Sequence, residues 1–350
     1  MAWDELNERK RCILKSIVDD YIESAQPVGS RTIARKHELG LGSATIRNEM
    51  ADLEELGYIT QPHTSAGRIP SDKGYRFYVE NLMQIHNLAK EEIEMIRQAM
   101  DEKIEEINHL IQRASTIISN VTGYTAVVMS PQLSRAVIKS VQLLAIGEKR
   151  LLVVVVAGGG IVHNRLIRHD SVIDESDIAK LNKTFNILIS GKTIDQVSMP
   201  ALRELPRDID VPKEVIFAVF DAIEDCVRKI ETTDFYMDGI TNILNYPEFS
   251  DLIKAREVLD FLKEKDIIHQ MIYEASKKQQ LDFKIGSENE YDEMKDLSII
   301  TTVYGGEGKN YGTIGVIGPR RMTYGKVVSS IKYIRELLNR ELMKMFGDDL

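Results

Sequence analysis

Four polar side chains crowd the start of one short stretch, Ser43-Ala44-Thr45-Ile46-Arg47-Asn48-Glu49-Met50. Ser43, Thr45, Arg47 and Asn48 suit recognition rather than turnover. Arginine can donate two hydrogen bonds to guanine O6 and N7, and asparagine can pair in two places with adenine N6 and N7. Ile46, Met50 and Leu53 recur at helical intervals and pack inward, which turns Thr45, Arg47, Asn48 and Ala51 to solvent. Leu39-Gly40-Leu41-Gly42 reads as a tight turn before this helix, and Ser43 is placed to cap it by accepting a first-turn N–H. An ordinary surface helix could carry the same residues, so the elements around this one must decide.

Other chemistries find less support. His37, His63, His86, His109, His163, His169 and His269 are scattered, without metal-ligand spacing. His163 and His169, six apart on or beside a strand, read as satisfied or exposed histidines on one side. Ala157-Gly158-Gly159-Gly160 invites a phosphate loop, but such a loop opens a helix, and Ile161 to Ile167 alternates as a strand. A hairpin turn is the expectation there, and also at Gly305-Gly306-Glu307-Gly308. Neither a nucleophile elbow nor a P-loop occurs. No enzyme, cofactor or metal is expected.

Two further helices and a hairpin frame the Ser43 helix. Asn7 to Ser24 is amphipathic, with Ile13, Leu14, Ile17, Val18 and Tyr21 on its apolar stripe. Gln26-Pro27-Val28-Gly29 ends it, and Ser30 caps a second helix over 31–36. The third helix runs from Ser43 to Leu56, where Gly57 stops it. Tyr58 to Gln61 is a strand, Pro62 to Arg68 a loop and Ile69-Pro70 the return. A fourth helix starts at about Ser71 and carries Tyr75 and Tyr78 into the core. This is the order of a winged helix-turn-helix, whose recognition helix enters the major groove. In that frame Ser30, Arg31, Arg35 and Lys73 are expected on phosphates, and Ser43, Thr45, Arg47 and Asn48 on bases. His63 and Arg68 belong to the wing loop on the DNA side. Arg68 fits a minor-groove or phosphate contact and equally a solvated loop arginine.

Charge neither demands nor excludes this. The chain of 350 residues has a net charge of −9, is 43% hydrophobic and 28% charged, and is long enough for two or three domains. Residues 1–80 hold eleven Lys or Arg against thirteen Asp or Glu. The signs are segregated, however. Arg31, Arg35, Lys36 and Arg47 bracket the turn with only Glu38 among them. Asp52, Glu54 and Glu55 lie at the far end of the third helix and are expected to face away from phosphate. Cys12 and Cys226 are too few and too distant for a disulfide framework or a zinc cluster, so a reducing cytoplasm is expected. The polar, acidic start shows no signal peptide, and the longest apolar run, Leu151 to Ala157, is too short to cross a membrane.

Over 89–122 a seven-residue repeat (Ile93, Met100, Ile107, Ala114, Val121), joined by Ile104, Ile111 and Ile118, predicts one long linking helix. It serves either as a strut on its own next domain or as a contact with a second copy, with Asn108 and Gln112 towards solvent. Strands follow at 124–129, 136–146, 151–156 and 161–167. Helical patterns occupy 174–189, 199–204, 213–232, 245–265 and 267–277, punctuated by Pro200, Pro206 and Pro212. Strands return at 281–286, 297–304 and 312–317, and a helix over 326–346 closes the chain. The fold class is α+β, one domain split by a mainly helical insertion.

The N-terminal segment resembles the HrcA family of bacterial heat-inducible transcription repressors. The resemblance rests on Pro27 to Ser30, Ser43 to Met50, Leu53 to Tyr58 and Ser65 to Arg76, with Ser71 where Thr is expected. It extends to Ser130-Pro131, to Ile285 to Asn289 and to Ile317 to Tyr324. It implies a winged-helix DNA-binding domain over 1–88, a linking helix over 89–122, and a GAF-like domain over 123–174 and 241–350. An inserted dimerisation domain over 175–240 interrupts the last. It further implies a cytoplasmic homodimer, nucleoid-associated when bound, that blocks transcription at an inverted-repeat operator, CIRCE, upstream of chaperone operons. The GroE chaperonin is the implied partner that keeps it competent. Two rivals remain: a small-molecule sensor with a GAF-like pocket, and an enzyme fused to a DNA-binding domain with Gly158 to Gly160 as its phosphate loop.

Overall fold

The structure, a computed structural model, describes residues 6–37, 39–64, 66–85, 87–100, 106–131, 136–147, 149–171, 173–197, 211–231, 235–277, 281–305 and 311–346. The expected helix over 199–204, with Pro200 and Pro206, lies outside them, as do Glu38, Ile104 and 306–310. Among the described residues no helix is long and apolar enough to cross a membrane.

The chain opens with helices α1 (Glu8–Ser24), α2 (Ser30–Lys36) and α3 (Ser43–Glu55), then strands β1 (Ile59–Thr60) and β2 (Ile69–Pro70), then α4 (Asp72–Phe77) with a π-turn to Leu82. Asn7 caps α1, and the Ser71 hydroxyl caps α4 by accepting from the Gly74 N–H. The expected caps at Ser30 and Ser43 are corrected. Gly29 and Gly42 hold the extended N-cap conformation, so both serines are first helical residues and cap nothing.

The single linking helix is also corrected. It is two helices, α5 (Lys90–Met100) and α6 (Ile107–Thr122). Glu106 sits before α6 at φ −116° and ψ 130°, an extended residue through which no helix can run. The repeat still marks buried positions. Met100, Ile107, Ile111, Ala114 and Ile118 are all in the core, so α6 is a strut on its own molecule. Asn108 is half-buried rather than solvent-facing, and Gln112 is exposed.

The main sheet is antiparallel, in the order β7-β3-β10-β9-β8. It comprises β3 (Thr125–Met129), β7 (Phe235–Asp238), β8 (Asp282–Ile285), β9 (Leu297–Tyr304) and β10 (Gly312–Pro319). Period-2 alternation serves both faces. Ala126, Val128, Ile300, Ile314 and Val316 meet α6 and the closing helix α11 (Tyr324–Phe346). Val127, Met129, Leu297, Ile299 and Ile317 meet α9 (Leu252–Lys263) and α10 (Lys265–Ser276). Strand β7, four residues long, went unmarked in the sequence pattern.

Between β3 and β7 the chain builds a separate sheet, β4-β5-β6, from β4 (Ile138–Ala145), β5 (Arg150–Ala157) and β6 (Ile161–Arg168). These strands were expected in the same domain as β3; the pairing places them apart from it. Gly158 to Gly160 form a tight turn directly into β6, so they open a strand and no helix. Helices α7 (Glu175–Ile189) and α8 (Lys213–Glu231) cover one face. Asn182 and Asn186 of α7 reach the outer edge of β4. Each accepts from and donates to one residue's backbone, Leu143 and Val141 respectively, at 2.6–3.0 Å. That occupies an edge otherwise open to strand pairing.

The N-terminal helices dock on the main sheet through a set of polar contacts around the Asp72 carboxylate. Asp72 accepts from the Ser287 N–H at 2.9 Å and from Arg320 at 3.1 Å, and Arg320 also reaches Asp296 at 3.2 Å. Arg76 donates to Glu288 at 2.8 Å and to the Phe283 carbonyl at 2.6 Å, and Arg321 donates to the Ile22 carbonyl at 3.0 Å. Gly286 has φ +53°, and a Cβ there would stand 2.2 Å from the Asp72 carboxylate, so only glycine fits the turn beneath it. Burial pushes the Asp72 carboxyl up, but the Ser287 N–H and the Arg320 guanidinium outweigh it, and its pKa ends below the usual value.

A depressed pKa means that this contribution is complete above the ordinary Asp value of about 3.9 and fades as pH falls through the lower, folded value. Asp72→Asn should therefore cost about 1–3 kcal/mol at neutral pH. The Tm gap between variant and parent should close on acidification below about pH 4. A gap that is constant with pH would refute the role of this charge.

Candidate nucleic-acid interface

The third helix presents its polar start as the sequence required. Ile46, Met50 and Leu53 are buried, and Ser43, Thr45, Arg47 and Asn48 are exposed. The start of α2, the flank of α3 and the β1–β2 hairpin enclose a cleft of about 610 Å³ lined by Ser30, Arg31, Arg47, Gln61 and Arg68. Ser30 is buried in its wall, while Arg31 and Arg35 stand exposed on α2.

Ion pairing sorts the cations of this region. Lys10 pairs with Glu49 at 2.9 Å and with Asp52 at 2.8 Å, and Arg9 lies 3.6 Å from Glu49. The hydrogen bonds that Lys10 donates to the Asp52 and Glu49 carboxylates hold its pKa above the usual value. Lys36 pairs with Asp20 at 2.7 Å and with Glu23 at 2.5 Å, and both raise its pKa. Lys15 pairs with Asp19, and Arg76 with Glu288. Arg31, Arg35 and Arg47 have no ion-pair partner among the described residues, and Arg31 and Arg47 line the cleft together.

Two of the sequence-predicted residues are held elsewhere. Lys73 lies at the opposite end of α3, donating to the Leu56 carbonyl at 3.0 Å with its ammonium 4.3 Å from the centre of the Tyr58 ring. The expected phosphate contact is replaced by a helix C-terminus and an aromatic face, both of which favour a cation. Arg68 bonds Glu54 at 2.8 Å through Nε and at 2.7 Å through Nη2. It sits at the base of the hairpin, where its backbone bridges to Val28, so neither the free wing-tip arginine nor the solvated one describes it. Glu54 follows Arg47 by seven residues and so shares its flank of α3. It does not face away as expected, and Arg68 compensates its charge. Asp52 does turn aside, towards α1.

His63 is exposed in the hairpin loop. The sequence reading missed Gln61, whose side-chain amide donates to the Thr64 and Ala66 carbonyls, both at 3.0 Å, and shapes that loop. Its only signal was a polar amide just before Pro62. Gly67 fixes the hairpin to the turn before α2, because a Cβ there would stand 2.5 Å from the Val28 carbonyl oxygen.

Comparison with known proteins covers the whole chain. Residues 108–328 match the family model of the HrcA protein C-terminal domain. The chain is 46% identical to the heat-inducible transcription repressor HrcA of Acetivibrio thermocellus, over 99% of each chain. It is 44% identical to that of Ruminiclostridium cellulolyticum, over 98% of this chain and 99% of the other. It is 40% identical to that of Clostridium acetobutylicum, over 97% and 99%. A crystal structure of a hypothetical protein at 2.2 Å resolution shares the fold, with a TM-score of 0.68, 24% identity and coverage of 99% of this chain and all of that one.

Gly67→Ala should cost roughly 1–3 kcal/mol, since the clash is with backbone that cannot swing aside. Hydrogen exchange should then quicken at the Val28 and Arg68 amides, which bond each other's carbonyls at 2.8 Å. Unchanged protection at both would show that the hairpin does not depend on this close approach.

Proposed function

The chain belongs to the HrcA family of heat-inducible transcription repressors, and from that premise we propose that it silences chaperone operons as a homodimer on an inverted-repeat operator. The observation that carries the reading is the sorting of cations. Most of the basic side chains of residues 6–85 are engaged with acids or carbonyls, whereas Arg31, Arg35 and Arg47 on α2 and α3 have no ion-pair partner among the described residues, and Arg31 and Arg47 line one cleft.

Residues 1–88 act as a winged helix-turn-helix, with α3 in the major groove and the β1–β2 hairpin as its wing. Arg47 and Asn48 read base edges, with Ser43 and Thr45 beside them. Arg31 and Arg35 hold phosphates, Ser30 lines the wall behind them, and His63 meets the backbone from the wing loop. Lys73 and Arg68 act through the fold, Arg68 by neutralising Glu54 on the reading flank.

The GAF-like domain is the main sheet with α6 and α9 to α11. The inserted domain is the whole excursion between β3 and β7, in place of 175–240. Its uncovered sheet face supplies the dimer contact. Three cross-strand rows cross that face: Ser140–Val156–Val162, Gln142–Val154–Asn164 and Leu144–Leu152–Leu166. None of the nine carries a charge. Val162 is 52% exposed, Leu144 47% and Leu166 45%, and a two-fold axis would set this patch on its own copy. The operator is the CIRCE inverted repeat. The GroE chaperonin, as the partner that keeps the repressor competent, is carried by family membership.

A binding titration on a chaperone-operon inverted repeat and on scrambled duplex tests this. The repeat should bind about 10³-fold tighter or more. Arg47→Ala should cost about 1–3 kcal/mol on the repeat with little loss on scrambled DNA, and Arg31→Ala should weaken both and lower the salt slope by about 1. Equal affinity of the parent protein for the two duplexes would overturn the reading. Val154→Arg, at the centre of the open face, should elute as a monomer on a sizing column. A dimer that persists would move the interface elsewhere.

A further inference from the structure

A second cleft, of about 150 Å³, opens where the inserted unit meets the main domain. It is bounded by the first turn of α6 (Ile107 and Asn108), by Ser130 just after β3, by His163 on β6 and by Lys229 in the last turn of α8. None of these residues takes part in the DNA-binding face.

Three features of the cleft share one sign. The N-cap residue of the 16-residue α6, Glu106, makes no side-chain cap, and the first turn holds no acid. Its amide N–H groups and the positive end of the helix dipole are therefore directed here. Ser130 is 5% exposed, and its hydroxyl has no hydrogen-bond partner, which is a cost unless something accepts from it. Lys229 adds a cation beside the carbonyl end of α8. Among the described residues that line the cleft, the opposing charge is Glu106. Its side chain is 65% exposed and its carboxylate lies 3.9 Å from His109 Nε2.

We propose that this cleft binds one small tetrahedral oxyanion, a phosphate group, held by the first-turn amides of α6, the Ser130 hydroxyl and the Lys229 ammonium. The volume is well below the roughly 300–1,000 Å³ of sites for drug-sized ligands, so it suits the phosphoryl group alone, whether as the free ion or as the end of a small metabolite. Such an ion bridges α6 and the β3 end of the main domain to β6 and α8 of the inserted unit. It therefore stabilises the seam between them.

The test is thermal unfolding of the full-length protein with chloride exchanged for inorganic phosphate at constant ionic strength. The Tm should rise saturably with phosphate. Lys229→Gln and Ser130→Ala should each weaken the apparent affinity about tenfold or more. Glucose 6-phosphate serves as a second probe. An equal rise assigns the site to phosphorylated metabolites as well, and a rise with inorganic phosphate alone assigns it to the free ion. If Ser130→Ala fails to fold, Lys229→Gln, at an exposed position, decides alone. No rise over chloride, or a rise unchanged in Lys229→Gln, would overturn the proposal.

Discussion

The Asp72 carboxylate is the contact on which the arrangement of this molecule depends. It stands at the first turn of α4, the last helix of the N-terminal unit before its π-turn, and faces the Ser287 amide and the Arg320 guanidinium of the main sheet domain. A lone carboxylate at such a boundary would pay desolvation without return. Here it accepts from a backbone N–H and from an arginine that is itself shared with Asp296. Gly286 removes the side chain that would otherwise occupy its place. Beside it, Arg76 runs the opposite way, from α4 to Glu288 and the Phe283 carbonyl. The N-terminal unit is thus held by two arginine–carboxylate pairs of opposite direction, which fix orientation as well as proximity.

That junction also explains why widely separated runs stood out together in the sequence. Ser71 to Arg76, Ile285 to Asn289 and Ile317 to Tyr324 carry the family resemblance from distant parts of the chain. In space they form one seam. Tyr75 lies 6.0 Å from Tyr324, ring centre to ring centre, and Arg321 crosses to the Ile22 carbonyl at the end of α1.

Elements were legible wherever their cause was local. The strand pattern of β6, the stripe of α1 and the turn at Gly158 to Gly160 depend on neighbours a few residues away, and the sequence displays them. What failed depended on distant partners. Period 2 says that 138–168 is strand but not which sheet it joins. Phe235 to Asp238 is a strand because β3 lies beside it, not because four residues insist on it. The seven-residue repeat continues across a helix break, because buried positions recur whether or not the backbone between them is helical. Of the site, the exposed start of α3 and the arginines of α2 were visible in sequence. The pairing of Arg68 with Glu54, fourteen residues away, was not, and it changed the role of both residues.

The insertion point follows from the same geometry. β3 and β7 are antiparallel neighbours, with Met129 paired to Phe235. The chain leaves the sheet and returns at adjacent positions, as a short hairpin would. A connection that begins and ends within one strand spacing imposes little on what lies between, because closure cost grows only logarithmically with loop length. A whole unit with its own sheet can therefore hang there without distorting the main sheet. It hangs from β3, on the far side of β10 and β9 from β8, the strand against which α4 packs. The open face of the inserted unit's sheet and the N-terminal helices are thus mounted towards opposite edges of one sheet.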